Sequence, residues 1–357
     1  MPEIATTIRL SGFRRFHDYT VSLSSPTVIV GPNGVGKTTL LEALYYTSLG
    51  RSYRTSSDRD MIGWQTDTAR IEATFSTGLS ITRAISTFRG SVTKQCQVNG
   101  LQTTPLASLG QLHVVLFAPE LIELIMGAPR VRRRYLDILL SGTDPEYAQA
   151  LLRYQHALKQ RNALLLQPPQ VTNSFDVWES LLVDTGTLLL RKRERLVRLL
   201  QTQVQPAYDA LEPATKQRTV QLSYESSVEP QDRYSELLVA SRERDRRSTG
   251  TSLGPHRDEL RIQLDAHPVS FASRGEQRSL LLALKQAELA LHATTNSELP
   301  PYLLLDDLFS ELDKRRSTQL TQLLAQYPTI VTTTDATSLD PSLREAATIL
   351  DLTDHAA

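Results

Sequence analysis

The sequence predicts an α/β fold in which a sheet of buried strands is interrupted by a long helical segment. Three observations carry that expectation. Thr27-Val28-Ile29-Val30 is a short apolar, β-branched run that passes directly into Gly31-Pro32-Asn33-Gly34-Val35-Gly36-Lys37-Thr38-Thr39 and then the helix former Leu40-Leu41-Glu42-Ala43-Leu44. A second apolar run, Tyr302–Leu305, ends in Asp306-Asp307. Between them, residues 121–214 are almost entirely helix-forming.

Taken in order, residues 4–30 alternate apolar and polar around Phe13-Arg14-Arg15-Phe16, which predicts two strands. The strand at 27–30 and the helix reaching about Leu49 flank a G-x-x-x-x-G-K-[ST] pattern, the P-loop. Its glycines let the backbone wrap a phosphate with N–H groups turned inward at a helix N-terminus. Lys37 is placed to reach β- and γ-phosphates and the Thr38 hydroxyl to ligate Mg²⁺. A chance glycine-rich loop would lack the strand before it and the helix after it. The stretch Gly50–Arg59 is basic and hydroxyl-rich, the composition of a solvated loop, and its arginines could also meet phosphates. Ala69–Ser76, Leu79–Ile85 and Thr93–Val98 predict antiparallel strands, with Val98-Asn99-Gly100-Leu101 a hairpin turn. Val114–Phe117 predicts a buried strand.

In the helical segment, Arg130, Arg132, Arg133 and Arg134 open one helix. Two longer helices are predicted over about 145–166 and 175–204, split by Pro168-Pro169. Leu151, Tyr154, Leu158, Ala163 and Leu166 stripe the first; Trp178, Leu182, Leu189, Leu196 and Leu199 are part of the second's stripe. Complementary stripes and a short connection predict an antiparallel helical hairpin. Arg191–Arg195 is read as its solvated face, and residues 242–251 as a flexible charged junction. Strands are expected at Thr219–Tyr224, Glu259–Leu264 and Thr329–Thr333, and helices at about 274–294 and 314–326.

A P-loop needs a carboxylate for the metal and a group that positions water. Asp306, at the carboxyl end of a buried strand where ligands bind in such sheets, is assigned to the metal, and Asp307 to the attacking water. Upstream, Ser273-Arg274-Gly275-Glu276 opens an amphipathic helix. Ser273 and Glu276 make a capping box on their own terms, and a Ser-x-Gly pair at a helix start also makes an anion site.

Overall charge is balanced, with 39 basic and 39 acidic residues, so it excludes no partner. The first 115 residues carry a basic excess and the last hundred or so an acidic one, which leaves room for a polyanion. The single Cys96 excludes an internal disulfide framework and suits a reducing cytosol. No apolar run reaches the ~18 residues of a membrane span, and Met1-Pro2-Glu3 opens no signal peptide. The expectation is a cytoplasmic protein with no membrane partner.

The order of P-loop, Ser-Arg-Gly-Glu-Gln helix, Asp306-Asp307 strand and Ser310-Glu311-Leu312-Asp313 resembles the ABC-type ATPases. The helical insertion resembles their DNA-maintenance branch, which includes the SMC proteins, but is far too short for a long coiled coil. With Gly50-Arg51-Ser52-Tyr53-Arg54-Thr55, Phe117-Ala118-Pro119-Glu120 and Gly254-Pro255-His256-Arg257-Asp258, nearly the whole chain resembles the bacterial RecF family.

That resemblance implies an ABC-type head from 1–118 and 215–357, built on a mixed sheet with an antiparallel lobe, and a helical arm over 119–214. It implies that Ser273 touches the γ-phosphate on a second copy, that Gly275 permits close approach, and that Asp313 helps build the dimer contact. ATP and Mg²⁺ are the implied cofactors. The implied function is an ATP-dependent clamp at gapped or junction DNA, working with RecO and RecR to place RecA on single strands in replication restart and the SOS response. DNA phosphates are expected at Arg14, Arg51, Arg54 and Arg59, and contacts of that kind are salt-sensitive and largely sequence-independent.

Three departures qualify the pattern. Asp307 stands where most ABC proteins have Glu, which implies slow hydrolysis, a switch rather than a motor. Thr334 stands in place of the switch His, and Pro119-Glu120 in place of the Gln after the lobe-joining strand. A transporter ATPase would carry both missing groups. A nucleotide-gated DNA-binding module with negligible hydrolysis is the alternative, and a turnover assay with and without DNA separates it from a true ATPase.

Overall fold

The computed structural model describes residues 6–167, 175–212, 218–295 and 300–353. The expected strand residue Ile4 and the Pro168-Pro169 break lie outside them.

The chain opens with an antiparallel pair, β1 (Thr6–Phe13) and β2 (Phe16–Leu23), then β3 (Thr27–Val30) and α1 (Lys37–Leu49). Four strands follow: β4 (Thr68–Phe75), β5 (Ser80–Phe88), β6 (Ser91–Val98) and β7 (Leu101–Thr103). Asn99 and Gly100, both at positive φ, turn β6 into β7 as the sequence predicts. After β8 (Val114–Phe117) come α2 (Glu123–Met126), α3 (Pro129–Thr143), α4 (Pro145–Leu165) and α5 (Phe175–Leu211). Next are β9 (Val220–Glu225), α6 (Tyr234–Ala240), α7 (Arg242–Ser248), β10 (Glu259–Leu264), β11 (His267–Pro268) and α8 (Arg274–Thr295). The chain closes with β12 (Tyr302–Asp306), α9 (Lys314–Leu324), β13 (Thr329–Thr333), α10 (Pro341–Ala346) and β14 (Thr348–Asp351).

These elements form two compact units, residues 1–121 with 285–357, and residues 122–284. The sequence expectation drew the helical unit at 119–214. In the structure β9, β10 and β11 group with the helices, because β9 packs along α5 and β10 against α3.

The first unit holds a six-stranded antiparallel sheet, β2-β1-β4-β5-β6-β7, and a five-stranded parallel sheet, β14-β3-β13-β12-β8. One core joins them around α1: Ile8, Leu10 and Ile71 from one sheet, Leu40, Leu41 and Leu44 from the helix, and Ile29, Leu304 and Ile330 from the other. Eleven of the thirteen α1 residues are buried. A helix enclosed on all sides has no solvent face to keep polar, which is why its apolar residues form no single stripe. Strand β14 escaped prediction because its residues are largely exposed at the sheet edge.

In the second unit α4 and α5 run antiparallel, as the ladder of pairs Asp144–Lys192, Tyr147–Arg193, His156–Trp178 and Arg161–Glu179 requires. The stripes differ in detail from those expected. Ala163, Leu166 and Leu199 face solvent, and Ala157, Arg161 and Leu165 are buried instead. Helix α5 does not stop near 204 but continues through Pro206, held by the buried Val204, Tyr208 and Leu211.

Two further expectations are corrected. Arg193 is not on a solvated face: it is buried, donating to Asp137 Oδ1 at 2.6 Å, to the Tyr147 hydroxyl at 2.9 Å and to the Pro255 carbonyl at 2.6 Å. Residues 242–248 are not a flexible junction but the helix α7, whose Asp245 is fully buried and accepts from Arg161 Nη1 at 2.7 Å. Charged residues are almost never buried unless paired, so composition alone reads such a run as solvated.

The three-stranded sheet β11-β10-β9 leaves one long side of β9 without a strand neighbour. Side chains of α5 occupy it. Gln201 accepts from Leu222 N and donates to the Val220 carbonyl at 3.0 Å; Gln205 accepts from Val220 N at 2.7 Å and donates to the Arg218 carbonyl at 3.0 Å. Among the described residues no helix is long and apolar enough to cross a membrane.

Candidate nucleotide-binding site

The P-loop links β3 to α1 at the carboxyl end of the parallel sheet. Gly34 (φ +81°) and Gly36 (φ +114°) occupy backbone regions that L side chains rarely adopt. A Cβ at Gly36 would also stand 2.7 Å from the ring of Phe16. Pro32, Asn33 and Gly34 are exposed at the rim, while Gly31, Val35, Gly36 and Thr39 are buried. Lys37 is 6% exposed, and its ammonium donates to the carbonyls of Gly31 at 2.7 Å and Pro32 at 3.1 Å. Burial pushes its pKa down, opposed by the charges of Asp307 and Asp306.

Strand β12 lies two places from β3, with β13 between, and delivers its terminal carboxylate beneath the loop. Thr38 Oγ1 donates to Asp306 Oδ1 at 3.0 Å, across 268 residues of sequence. Two hydroxyls that sequence reasoning missed also reach Asp306: Thr332 Oγ1 of β13 at 2.7 Å on Oδ1 and the Tyr53 hydroxyl at 2.9 Å on Oδ2. Burial, then the charge of Asp306, pushes the Tyr53 phenol well above its ordinary value, so it remains a proton donor at neutral pH. Tyr53 stands in the Gly50–Thr55 stretch that carries the family resemblance, but nothing in the spacing of either residue points to Asp306. Thr332 could have been found from its place on the strand paired with β12, and Tyr53 only from the folded loop.

Asp307 is held differently. Its backbone lies in the left-handed region at φ +45°, and its N–H donates to Thr332 Oγ1 at 3.0 Å. Its Oδ1 is buried and finds no hydrogen-bond donor among the described residues. Strain and an unsatisfied carboxylate oxygen at one residue are features that cluster at reacting centres. The donor set of a Thr hydroxyl and an Asp carboxylate, all oxygen, fits a hard cation that keeps several waters and phosphate oxygens as its other ligands.

Ser273, Gly275 and Glu276 belong to the other compact unit. The capping box is complete: Glu276 Oε2 accepts from Ser273 N and from Ser273 Oγ, both at 2.8 Å, and Ser273 Oγ accepts from Glu276 N at 3.3 Å. Ser273 is exposed, Gly275 half-buried and Glu276 buried, paired to Arg218 at 3.2 Å. Asp313 caps α9, accepting from Arg316 N at 2.9 Å. Thr334 and Glu120 are both exposed.

The four arginines expected at DNA have different surroundings. Arg14 is committed to the fully buried Glu42 through two bonds, 3.0 and 2.7 Å. Arg54 lies 3.6 Å from the same carboxylate with two-fifths of its side chain exposed. Arg51 is half-buried and Arg59 exposed.

The chain matches the model of the RecF/RecN/SMC N terminal domain over residues 4–349. DNA replication and repair protein RecF of Thermosynechococcus vestitus is 38% identical, over 97% of this chain and 95% of the relative. The protein of that name from Gloeobacter violaceus is 34% identical, over 97% and 96%. A solved structure described as the recombination mediator protein RecF-ATPrS in the RecFOR pathway superposes with a TM-score of 0.84 at 25% identity, covering 95% of this chain and 94% of that one. Family model, full-length relatives and superposition agree with the architecture of two sheets around a P-loop helix: the chain belongs to the RecF family of ABC-type ATPases, the DNA replication and repair proteins grouped with RecN and SMC.

Proposed function

We propose that this chain is an ATP-switched DNA clamp of recombinational repair and replication restart. The observation that carries the reading is the pairing of Thr38 with Asp306 under the P-loop, beside an Asp307 oxygen with no donor. In this reading residues 31–39 wrap the triphosphate, Lys37 meets the β- and γ-phosphates, and Thr38 and Asp306 hold Mg²⁺. The cation, when bound, offsets charge on the transferred phosphoryl group. Asp307 orients the attacking water through its unsatisfied oxygen. The base lies in the adjoining cleft of about 520 Å³ lined by Phe16, Thr39, Ile62 and the fully exposed Trp64.

Hydrolysis is completed by a second copy, whose Ser273 and Gly275 cap the γ-phosphate at the start of α8. The exposed position of Ser273 at the start of α8 favours this, because a helix N-terminus attracts an anion. ATP closes the dimer and hydrolysis reopens it, slowly. The closed dimer holds duplex at gaps or junctions, with Arg51, Arg54 and Arg59 on phosphates. Arg14, tied to Glu42, shapes that loop more than it meets DNA. RecO and RecR are the protein partners, RecA the beneficiary and the SOS response the setting, consistent with the pathway named for the superposed structure.

Light scattering with ATP tests the central step. The wild-type chain is expected to pair with ATP, more so with a gapped duplex. Ser273→Arg, which places a long cation at the shared phosphate, is expected to keep ATP affinity within about threefold and to remain monomeric. If the Ser273→Arg protein still pairs, the composite site is wrong.

A further inference from the structure

The expectation for residues 50–59 was a solvated loop, but the structure ties it down at both ends and at its centre. Ser52 donates to the fully buried Glu42 and accepts from Arg54 N at 2.9 Å and Thr55 N at 3.2 Å. Asp58 accepts from the Tyr46 hydroxyl at 3.1 Å and pairs with Lys94 at 2.5 Å. Between Ser52 and Arg54, Tyr53 turns inward. Its ring packs edge-on against Tyr45 of α1, with centroids 5.3 Å apart, and its hydroxyl ends on Asp306 Oδ2. Arg54, next in sequence, turns outward. Two adjacent residues thus address the metal carboxylate and the surface where a polyanion would lie.

We propose that Tyr53 is a positioning residue that couples DNA contact to the affinity of the site for Mg²⁺ and nucleotide. The proposal rests on the reading above, in which Asp306 holds the cation and Arg54 meets phosphate. Arg54 lies 3.6 Å from Glu42, too far for a hydrogen bond, so a phosphate outside can draw it away. Ser52 donates to the same Glu42 carboxylate and accepts from Arg54 N, so a phosphate that draws the guanidinium from Glu42 leaves that carboxylate to Ser52 and Arg14 and shifts the turn that carries Tyr53. A side-chain contact stretched to about 3.6 Å is no longer a hydrogen bond. Asp306 then loses one of its three hydroxyl donors, and a carboxylate less satisfied by the protein is a better ligand for a cation. DNA therefore raises Mg²⁺-dependent nucleotide affinity, and by linkage nucleotide with Mg²⁺ raises DNA affinity by the same factor.

The test measures binding rather than turnover. A fluorescent ATP analogue is titrated in Mg²⁺ and in EDTA, with and without a short gapped duplex, and duplex affinity is measured with and without the analogue. In the wild type, duplex is expected to tighten nucleotide binding in Mg²⁺ about fivefold or more and to have no effect in EDTA. Tyr53→Phe lacks the hydroxyl and is expected to bind in Mg²⁺ without DNA as tightly as the wild type does with it, and to respond no further. Ser52→Ala, which keeps the phenol but frees Arg54 N, is expected to lose most of the response. A duplex response that persists in both variants overturns the Tyr53 route alone. A wild type indifferent to duplex overturns the clamp reading together with it.

Discussion

Lys37→Met is expected to lose ATP binding by a hundredfold or more while the chain still folds. The ammonium is enclosed: it donates to the Gly31 and Pro32 carbonyls, and two carboxylates at the end of β12 counter the loss of water around it. Hydrogen bonds to charged groups contribute ~1.5–3 kcal/mol each, and Lys37 is placed to make more than one with a triphosphate. Methionine has similar length and no charge, so it fills the same volume and supplies none of those bonds. The two carbonyls it releases lie beside the exposed rim residues 32–34 and can take water, which keeps the stability cost small. Isothermal titration with ATP and a thermal melt of the same sample check both halves. Retention of ATP affinity within a few-fold would mean that Lys37 does not reach the phosphates.

The largest effect on stability is expected at Arg161, far from the P-loop in sequence and in the other compact unit. Its side chain has no exposed surface. Nε donates to Glu179 at 3.0 Å, Nη1 to Asp245 at 2.7 Å and to Thr251 at 2.8 Å, and Nη2 to the Leu238 carbonyl at 3.2 Å. One guanidinium therefore joins α4, α5, α6, α7 and the loop that follows α7. Arg161→Ala leaves Glu179 with Arg242, at 2.6 Å, but strips the fully buried Asp245 of its one cation partner among the described residues, leaving it Ser241 and Ser252. Removing one member of a buried ion pair costs ~3–5 kcal/mol. Denaturant melts followed at Trp178, on α5, should show that loss. Adding Asp245→Asn should recover part of it, because the variant then buries no lone charge.

The same group sets a pH signature. Burial alone would push the Asp245 carboxyl up, but bonds from Ser252, Arg161 and Ser241 outweigh it and hold the group below the usual carboxylate value of 3.8. A carboxyl depressed in the folded state stabilises fully above its unfolded pKa and ceases to as pH falls through its folded one. The gap between wild type and Arg161→Ala is therefore expected to be widest above about pH 5 and to narrow below about pH 4.

The parts legible in sequence are those whose chemistry is local. The P-loop, the Asp306-Asp307 strand end and the Ser273-x-x-Glu276 cap each need only neighbours a few residues away, so spacing reveals them. Each arises in the expected element, and the fold brings the first two together through a parallel ladder. What escaped is what long-range pairing decides. Tyr53 and Thr332 reach Asp306 from separate elements, and a Tyr or Thr hydroxyl is too common to signal a role by itself. Arg193 and Asp245 looked solvated because charge is a surface property until a partner of opposite sign is brought to it, and Arg161 drew no reading at all. The second long helix was expected to reach about 204, and α5 runs on through Pro206, whose missing N–H is tolerated because three buried side chains around it hold the helix.

The two glutamines of α5 have a consequence for assembly. By docking their amides on the backbone of residues 218–222, they act as a surrogate strand and close that margin of the sheet to any extended peptide from another protein. Recruitment by strand addition at this sheet must therefore use the opposite margin, where the outermost strand is only two residues long and ends in Pro268, which has no amide hydrogen to offer. Whatever binds this sheet must recognise side chains rather than backbone.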